Sequence, residues 1–501
     1  MFTPRHIMAA PALALLLAGC MSGPDYEPAE AGALGVPADW SVPTPAPDEA
    51  QTAALVDWWR MFDDPVLTGV IEQAVQGNTD LDLALSRLRQ AREALVVSQS
   101  SLYPSLSVSG GYNRTEPLRG GGTTLTQPDG TVVVAGGGGA DSFSLGLDAS
   151  YQIDLFGGIR RGVQASRADL EAAGFDYAST MRAVESEVAR NYVAARAYQA
   201  QLANAEASLA IQDENLEIAG WRVMAGLVSA VDQEQARSSR AQAAATIPQI
   251  RQQYNAAVSR IGVLTGQAPG AVKPLLDEPA PIPLGPEQAG AGIPADILRR
   301  RPDVRSAERQ LAAATARIGV AEAQLLPSLS INGSLDTNAT SFSDLFDTIT
   351  GGLFAGIAQS IFAGGQLAAQ ARSAEAAADG AFASYRGTVL TALEDVENAV
   401  VSKQSADERA GYFTTALDAA NNSAIYARAQ YRTGLTDFTT LNTQEIALLN
   451  SRNGLVQAHA DRANALIALF DALGGGWDPT GDYSDPDNMP PLYGAADEGQ
   501  D

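Results

Sequence analysis

The chain has 501 residues, with 33 Lys+Arg against 58 Asp+Glu and a formal net charge of −25. So acidic a chain offers no basic face for nucleic-acid phosphates. One cysteine excludes an internal disulfide or a cysteine-cluster zinc site, two histidines leave little for a histidine cage, and a mean hydropathy near zero excludes a polytopic helical membrane protein.

The N-terminus carries Arg5 and His6, then an apolar run from Ile7 to Ala18 that closes in Leu17-Ala18-Gly19-Cys20. The run is too short to span a bilayer and reads as the core of a signal peptide over residues 1–19. Small residues ahead of the only cysteine resemble a bacterial lipobox, in which the chain is cleaved before Cys20 and its thiol is acylated. An ordinary secretory signal followed by a chance cysteine is the plainer alternative. Each buried CH₂ of an acyl chain contributes about 0.8 kcal/mol, so two or three chains would anchor the protein stably. By resemblance to lipoprotein sorting, Met21 rather than Asp permits export to the outer membrane. Residues 20–60 read as a lipidated tether, Pro/Ala/Glu-rich and extended from Met21 to about Asp48.

Beyond the tether the chain repeats itself. Tyr103-Pro104-Ser105-Leu106-Ser107-Val108 returns as Leu326-Pro327-Ser328-Leu329-Ser330-Ile331, Phe156-Gly157-Gly158 as Ala363-Gly364-Gly365, and Gly226-Leu227 as Gly434-Leu435. The offsets are roughly 223, 207 and 208 residues, the mark of one duplicated unit. The first copy spans 61–266 and the second 298–474. The first carries an extra loop of about 16 residues within Arg114–Ala140, rich in Gly, Thr and Pro.

Each unit reads as helix, strand, loop, strand, long helix, turn, helix. Strands are expected at about 104–115 and 141–155 in the first copy, and 327–337 and 351–362 in the second. From Phe143 the chain alternates Phe143, Leu145, Leu147, Ala149, Tyr151, Ile153, Leu155 against Ser144, Gly146, Asp148, Ser150, Gln152, Asp154. Strands of soluble sandwiches usually run about 5–6 residues. The longer alternation here fits a transmembrane strand with lipid on one face and water on the other. Leu106, Val108, Gly110, Tyr112 and Leu329, Ile331, Gly333, Leu335 repeat the pattern, while the fourth strand alternates poorly and is placed by its position in the repeat. A two-faced soluble sheet is the alternative reading. Four strands cannot close a membrane barrel, which takes about eight or more and tolerates no open edge. Strands must therefore be pooled between chains.

From about Ile159 to Gly220 no proline interrupts the chain. Met181, Val188, Ala195, Leu202, Leu209, Leu216 are spaced by sevens, as are Tyr177, Val184, Asn191, Tyr198, Ala205. A heptad seam of this length predicts a coiled-coil helix roughly 90 Å long. The second copy, about Gln366 to Tyr431, shows a similar run through Phe382, Val389, Val396 and Leu393, Val400. Both helices break at a Gly-Leu turn and return. A filamentous coiled coil is the alternative, opposed by the strands. Residues 267–297, dense in Pro and Gly up to Pro294, form a linker between the copies, and 475–501 form a C-terminal tail.

These residues resemble a known family, the outer-membrane factor (TolC-type) channels of tripartite efflux and secretion systems. The match is nearest the lipoprotein (NodT-like) branch serving RND pumps. It rests on Gly292-Ile293-Pro294-Ala295-Asp296-Ile297-Leu298-Arg299-Arg300-Arg301-Pro302-Asp303-Val304-Arg305, on Tyr151-Gln152-Ile153-Asp154-Leu155-Phe156-Gly157 with Arg160-Arg161, and on Asn78-Thr79-Asp80-Leu81 with Arg87. The resemblance implies a mostly α homotrimer with a membrane β-barrel: four strands per chain in a twelve-stranded barrel, long helices in a periplasmic α-barrel, and an equatorial belt near Gln267–Pro302 and the C-terminal segment. It implies a passive exit duct in the outer membrane of a Gram-negative bacterium, working with a periplasmic adaptor and an RND pump, in contact with outer-membrane lipid. A channel for type I (ABC) secretion shares the fold. A structural envelope coiled-coil lipoprotein is the alternative of another class.

No catalytic or cofactor-binding constellation is expected. Gly136 to Gly139 lacks the Lys-Ser/Thr of a phosphate loop, and the lone His459 sits in a helical pattern. In the family the helix-turn-helix tips form the gate. Carried over, the gate candidates are Asp232, Asp437, Thr443, Glu445 and Arg432. Thr443 stands nine residues after Gly434, where the family usually has Asp, so Asp437 or Glu445 would supply the charge of an acidic ring. Ordinary solvated carboxylates are the alternative. Gly226, Leu227, Gly434 and Leu435 are the candidates for adaptor docking, or the glycines are helix caps only.

Overall fold

In the computed structural model the described residues are 21–43, 54–116, 118, 123–126, 132–135, 140–287, 290, 292 and 294–488. The signal segment and Cys20 lie outside them. The elements run α1 (Pro65–Gly77), α2 (Thr79–Ser100), β1 (Ser105–Thr115), β2 (Thr123–Thr126), β3 (Val132–Ala135), β4 (Ala140–Ile153), α3 (Gly158–Met224), α4 (Ala230–Leu264), α5 (Lys273–Leu276), α6 (Ile297–Arg300), α7 (Pro302–Ala323), β5 (Ser328–Ala339), β6 (Ile349–Ala358), α8 (Gln366–Thr433) and α9 (Phe438–Ala472). Helices α2 and α7 each have 22 residues, α4 and α9 each have 35, and α3 and α8 have 67 and 68. Equal lengths in equal order are what a duplicated unit produces. Among the described residues no helix is long and apolar enough to cross a membrane.

Local chemistry sets the helix ends. Asp64 accepts from the amides of Val66 at 2.9 Å and Leu67 at 3.0 Å, with Pro65 opening α1. Asn78 accepts from Asp80 and Leu81 at the start of α2, while its side-chain amide donates to the Leu264 carbonyl at 2.8 Å. One residue thus caps a helix and ties it to the end of α4.

One compact unit comprises Glu93–Asp169, Leu311–Ala381 and the N-terminal stretch up to Glu27. Its sheet is antiparallel in the order β1-β4-β5-β6. The register sets Val108 beside Leu147, Leu147 beside Leu335, Tyr151 beside Ile331, and Gly333 beside Leu353. Apolar side chains therefore share one face across all four strands, and Ser107, Asp148, Ser150, Asn332 and Ser334 share the other. Among the described residues β1 and β6 are the edges of the sheet, each paired on one side only. The expected strand limits shift where chemistry stops the ladder. β4 ends at Ile153 rather than 155 because Asp154 turns to cap α3, accepting from the amides of Ile159 at 3.1 Å and Arg160 at 2.9 Å. β6 is Ile349–Ala358 rather than 351–362 because its partner begins at Ser328, directly after Pro327, which has no N–H to extend the pairing. Within the stretch read as a loop, β2 and β3 pair as a separate antiparallel hairpin.

The same unit holds the first residues of the stretch read as an extended tether. Residues from Met21 lie against the fold. Ser22 donates its amide to the Phe156 carbonyl at 2.9 Å. Arg161, its side chain only 4% exposed, donates to the carbonyls of Ser22 at 2.9 Å and Gly23 at 3.0 Å and pairs with Asp25 at 2.8 Å. Tyr26 packs on Ala168, Ala312 and Ala313. Gly157 has φ 78°, and a Cβ there would strike Met21.

The other unit comprises Pro28–Arg92, Leu170–Gln310 and the chain from Phe382. Its aromatic core joins Trp58, Trp59, Phe62 and Phe470. Leu34, within the expected tether, is fully buried, and Trp40 donates to the Gly292 carbonyl at 2.8 Å. The Arg-rich motif before α7 is structural: Arg301 reaches Asp303 at 2.6 Å and Asp395 at 2.9 Å, and Arg305 lies 4.1 Å from the Phe175 ring centre. Trp477 is buried, donates to the Arg300 carbonyl at 2.8 Å and meets Phe175 and Tyr483 edge-on. Within the segment expected as an equatorial or disordered tail, Gly475, Gly476, Trp477 and Pro486 are buried. In α3 the series Tyr177, Val184, Ala205 is buried and continues through Gln212 and Ala219, while Leu202, Leu209 and Leu216 are half-buried.

Candidate functional site

The two Gly-Leu turns are built alike. Met224 ends α3 and Thr433 ends α8. Gly226 then takes φ 69° and Gly434 φ 78°, the left-handed conformation a glycine adopts at least cost. The Leu227 amide donates to the Arg222 carbonyl at 2.9 Å, and the Leu435 amide to the Gln430 carbonyl at 2.8 Å. Both are six-to-one closures of the Schellman type. Each leaves its leucine on the outside, Leu227 at 70% and Leu435 at 79% exposure, with Met224 and Val231 exposed beside the first.

The two tips of one chain are joined. Arg222, in the last turn of α3, donates to the Tyr431 carbonyl at 3.2 Å and lies 4.7 Å from the Tyr431 ring centre. Tyr431 is buried with Phe438, Leu441, Ala219, Ala236 and Ala427. Burial, the largest influence, pushes its hydroxyl above the ordinary range. Cationic residues near helix C-termini complement the dipole, the one sequence signal that could have found Arg222.

The gate candidates fall into different roles. Asp437 caps α9, accepting from the Thr440 amide at 2.7 Å, and that hydrogen bond holds its carboxyl below the usual range. Asp232 lies half-buried in the first turn of α4. Thr443 is exposed and donates to the Thr439 carbonyl at 2.8 Å. Arg432 pairs with Glu214 of α3. Glu445 is buried at 4% exposure and held by Arg428, Nε at 2.5 Å and Nη2 at 2.7 Å. Arg428 is correspondingly raised, chiefly by that hydrogen bond. Deeper along the same helices, Gln212 donates to Asn442 at 3.2 Å and Asn204 to Asn453 at 3.1 Å. Arg428, Glu214, Gln212 and Asn442 were not legible beforehand, because their partners are separated by 17 or 218 or 230 residues. The structure brings together Arg222, Tyr431 and Gly434. Glu445 instead faces inward between α8 and α9.

The family model described as outer membrane efflux protein matches residues 70–267 and 293–475. The pyoverdine export outer membrane protein OpmQ of Pseudomonas aeruginosa is 30% identical over 463 residues, 92% of this chain and 95% of that protein. Nodulation protein T of Rhizobium leguminosarum bv. trifolii is 29% identical over 471 residues, 94% of this chain and 97% of that one. The solved outer-membrane channel OprN is similar with TM-score 0.80 and 31% identity, covering 91% of this chain and 100% of its own. The chain belongs to the outer membrane efflux protein family, a family of transport channels rather than enzymes.

Proposed function

We propose, from that membership, that three copies of the chain assemble into a passive outer-membrane exit duct for small molecules, fed by an inner-membrane RND pump through a periplasmic adaptor. The observation that carries this reading is the four-stranded sheet with one continuous apolar face and, among the described residues, two edges paired on one side only. Such a sheet is stable in lipid only when its edges are closed by further strands. Three copies supply a barrel of about twelve strands with lipid on the apolar face and water on the serine-rich face.

Transport is downhill through the pore and direction comes from the pump. The capped tips carry the two functions of the periplasmic end. Leu227 and Leu435 offer the adaptor an apolar foothold, with Gly226 and Gly434 setting the turn that presents them. Asp232, Asp437, Thr443, Arg432 and Glu445 line or brace the constriction. Cys20 supplies the acyl anchor, which adds membrane affinity to that of the barrel.

The reading is tested with the full-length protein. Light scattering in detergent should give a mass of three chains. Expression in an efflux-deficient strain with its pump and adaptor should restore export of a fluorescent substrate. Photocrosslinking from Leu227 and Leu435 should capture an RND-type adaptor. Capture of an ABC-exporter adaptor would move the assignment to type I secretion with the fold unchanged. A monomer in native membranes would sink the duct reading itself.

A further inference from the structure

We propose that Phe354 of β6 is a solute-contacting residue of the duct, an aromatic ring standing in the water-filled bore, where flat aromatic groups stack against it in passage. This role rests on the exit-duct reading, because the serine-rich face of the sheet must line water. The strand register places the ring. Phe354 stands beside Asn332, Asn332 beside Ser150, and Ser150 beside Ser105. The side chain therefore belongs to the polar face, while its chain neighbours Leu353 and Ala355 fall on the apolar one.

That position contrasts with everything around it. The other paired residues of this face are Ser, Thr, Asn, Gln, Asp, Gly and Ala, so among them Phe354 is the only aromatic side chain and the only apolar one larger than alanine. The backbone makes room for it. On its own face Phe354 is flanked along β6 by Gly352 and Gly356. A Cβ on Gly356 would come within 2.6 Å of ring atom Cε1 and 2.8 Å of Cζ. The ring thus lies along the strand over bare backbone, the close approach that a glycine inside a strand permits. It remains 63% exposed.

The chemistry of an open ring selects the solute. A phenyl group laid over glycine keeps most of its apolar surface wet, and a group that covers the open side recovers that cost. Another aromatic ring does so best, because two rings also gain from offset or edge-on contact of their quadrupoles. A positive charge on the solute adds attraction to the ring face. The paired residues of the polar face favour that sign, since they include Asp148 and Asp336 and neither Lys nor Arg. Three copies around one axis carry their rings at a single height, so a passing solute meets three such contacts at one level of the bore.

The test uses the full-length protein in planar lipid bilayers, with the aromatic cation tetraphenylphosphonium and the non-aromatic tetrabutylammonium as probes. Tetraphenylphosphonium should interrupt the current, with dwell times about three-fold shorter in Phe354→Ser, the scale of one exposed ring contact. Tetrabutylammonium dwell times should be the same in both proteins. If Phe354→Ser fails to assemble, Phe354→Leu, which keeps the bulk and loses the aromatic face, takes its place. Independently, Phe354→Cys should react with a charged, membrane-impermeant methanethiosulfonate and lower the conductance in three steps, one per chain. Leu353→Cys should not respond, and the wild type controls for Cys20. No interruption by tetraphenylphosphonium, an equal change for both probes, dwell times that survive loss of the ring, or a Phe354→Cys inert to the reagent would overturn the role of Phe354 and leave the duct standing. Trimers that pass no current at all would overturn the duct reading, and this role with it.

Discussion

Arg428 grips Glu445 with two guanidinium nitrogens, at 2.5 and 2.7 Å, and thereby pins α8 to α9 just behind the second tip. Removing one member of such a pair strands the other in a buried site. Arg428→Ala is expected to cost about 3 kcal/mol. The double replacement Arg428→Met with Glu445→Leu should recover most of that, because apolar packing substitutes well for a buried ion pair. Thermal unfolding of the four proteins of this double-mutant cycle measures the coupling. Additive losses would show that the pair contributes nothing beyond its separate members.

Asp437 gives an acid-side dependence. Its hydrogen bond from Thr440 lowers the carboxyl pKa in the folded chain, so the cap stabilises fully above the ordinary aspartate value, about 3.9. That contribution fades as pH falls through the lowered folded value. Hydrogen exchange at the Thr440 amide should accelerate in Asp437→Ala at pH 7 and approach the wild-type rate, corrected for intrinsic exchange, only in strong acid.

Glu185 gives the opposite sign. Its folded pKa is raised, mainly by burial, so folding is favoured while it is protonated. Stability from this group is complete below the ordinary glutamate range and is lost as pH rises through the folded value. Glu185→Gln should therefore melt higher than the wild type at alkaline pH, with the difference shrinking toward acid. A pH-independent difference would mean that the carboxyl stays ionised in its site.

The exposed leucines of the tips should matter for partnership and not for folding. Leu227→Glu and Leu435→Glu leave the caps intact, since these depend on backbone amides and on Gly226 and Gly434. Trimer heat stability is expected to stay at the wild-type value while drug resistance in a reporter strain drops about ten-fold, the scale of losing an apolar anchor at an interface. Unchanged resistance in the double variant would remove these leucines from the docking surface.

Arg301 tests the motif before α7. Its buried guanidinium serves Asp303, Asp395 and the Ala472 carbonyl. Arg301→Ala is expected to cost about 3–5 kcal/mol and to loosen the segment that carries Trp477. Limited proteolysis should then cut between Gly474 and Asn488, a stretch the wild type protects.

Much of this architecture was readable in advance because it is periodic. The alternation of β4 and the sevenfold spacing in α3 each repeat long enough to outweigh chance, and the Gly-Leu marks set both tips. β6 shows why reading failed elsewhere. Phe354 and the interspersed glycines blur its alternation, and only pairing with β5 reveals Ile349, Leu353 and Ile357 on the common apolar face. Both complementary heptad series of α3 contribute buried residues, Val188 and Ala195 from one and Tyr177, Val184 and Ala205 from the other, while Leu202, Leu209 and Leu216 toward the tip are only half-buried. In the candidate site the glycines and leucines were visible, whereas the inward turn of Glu445 was not.

By itself the sequence determined the duplication, the long helices, the alternating strands and the need for further strands to close the sheet, since each follows from spacing along one chain. Only the tertiary structure decided which carboxylates remain free at the tips, how Arg161 holds the N-terminal stretch, and that Trp477 packs the C-terminal segment. Those outcomes depend on pairs brought together from distant parts of the chain, and burial energies and hydrogen-bond partners have no value until both members are in place.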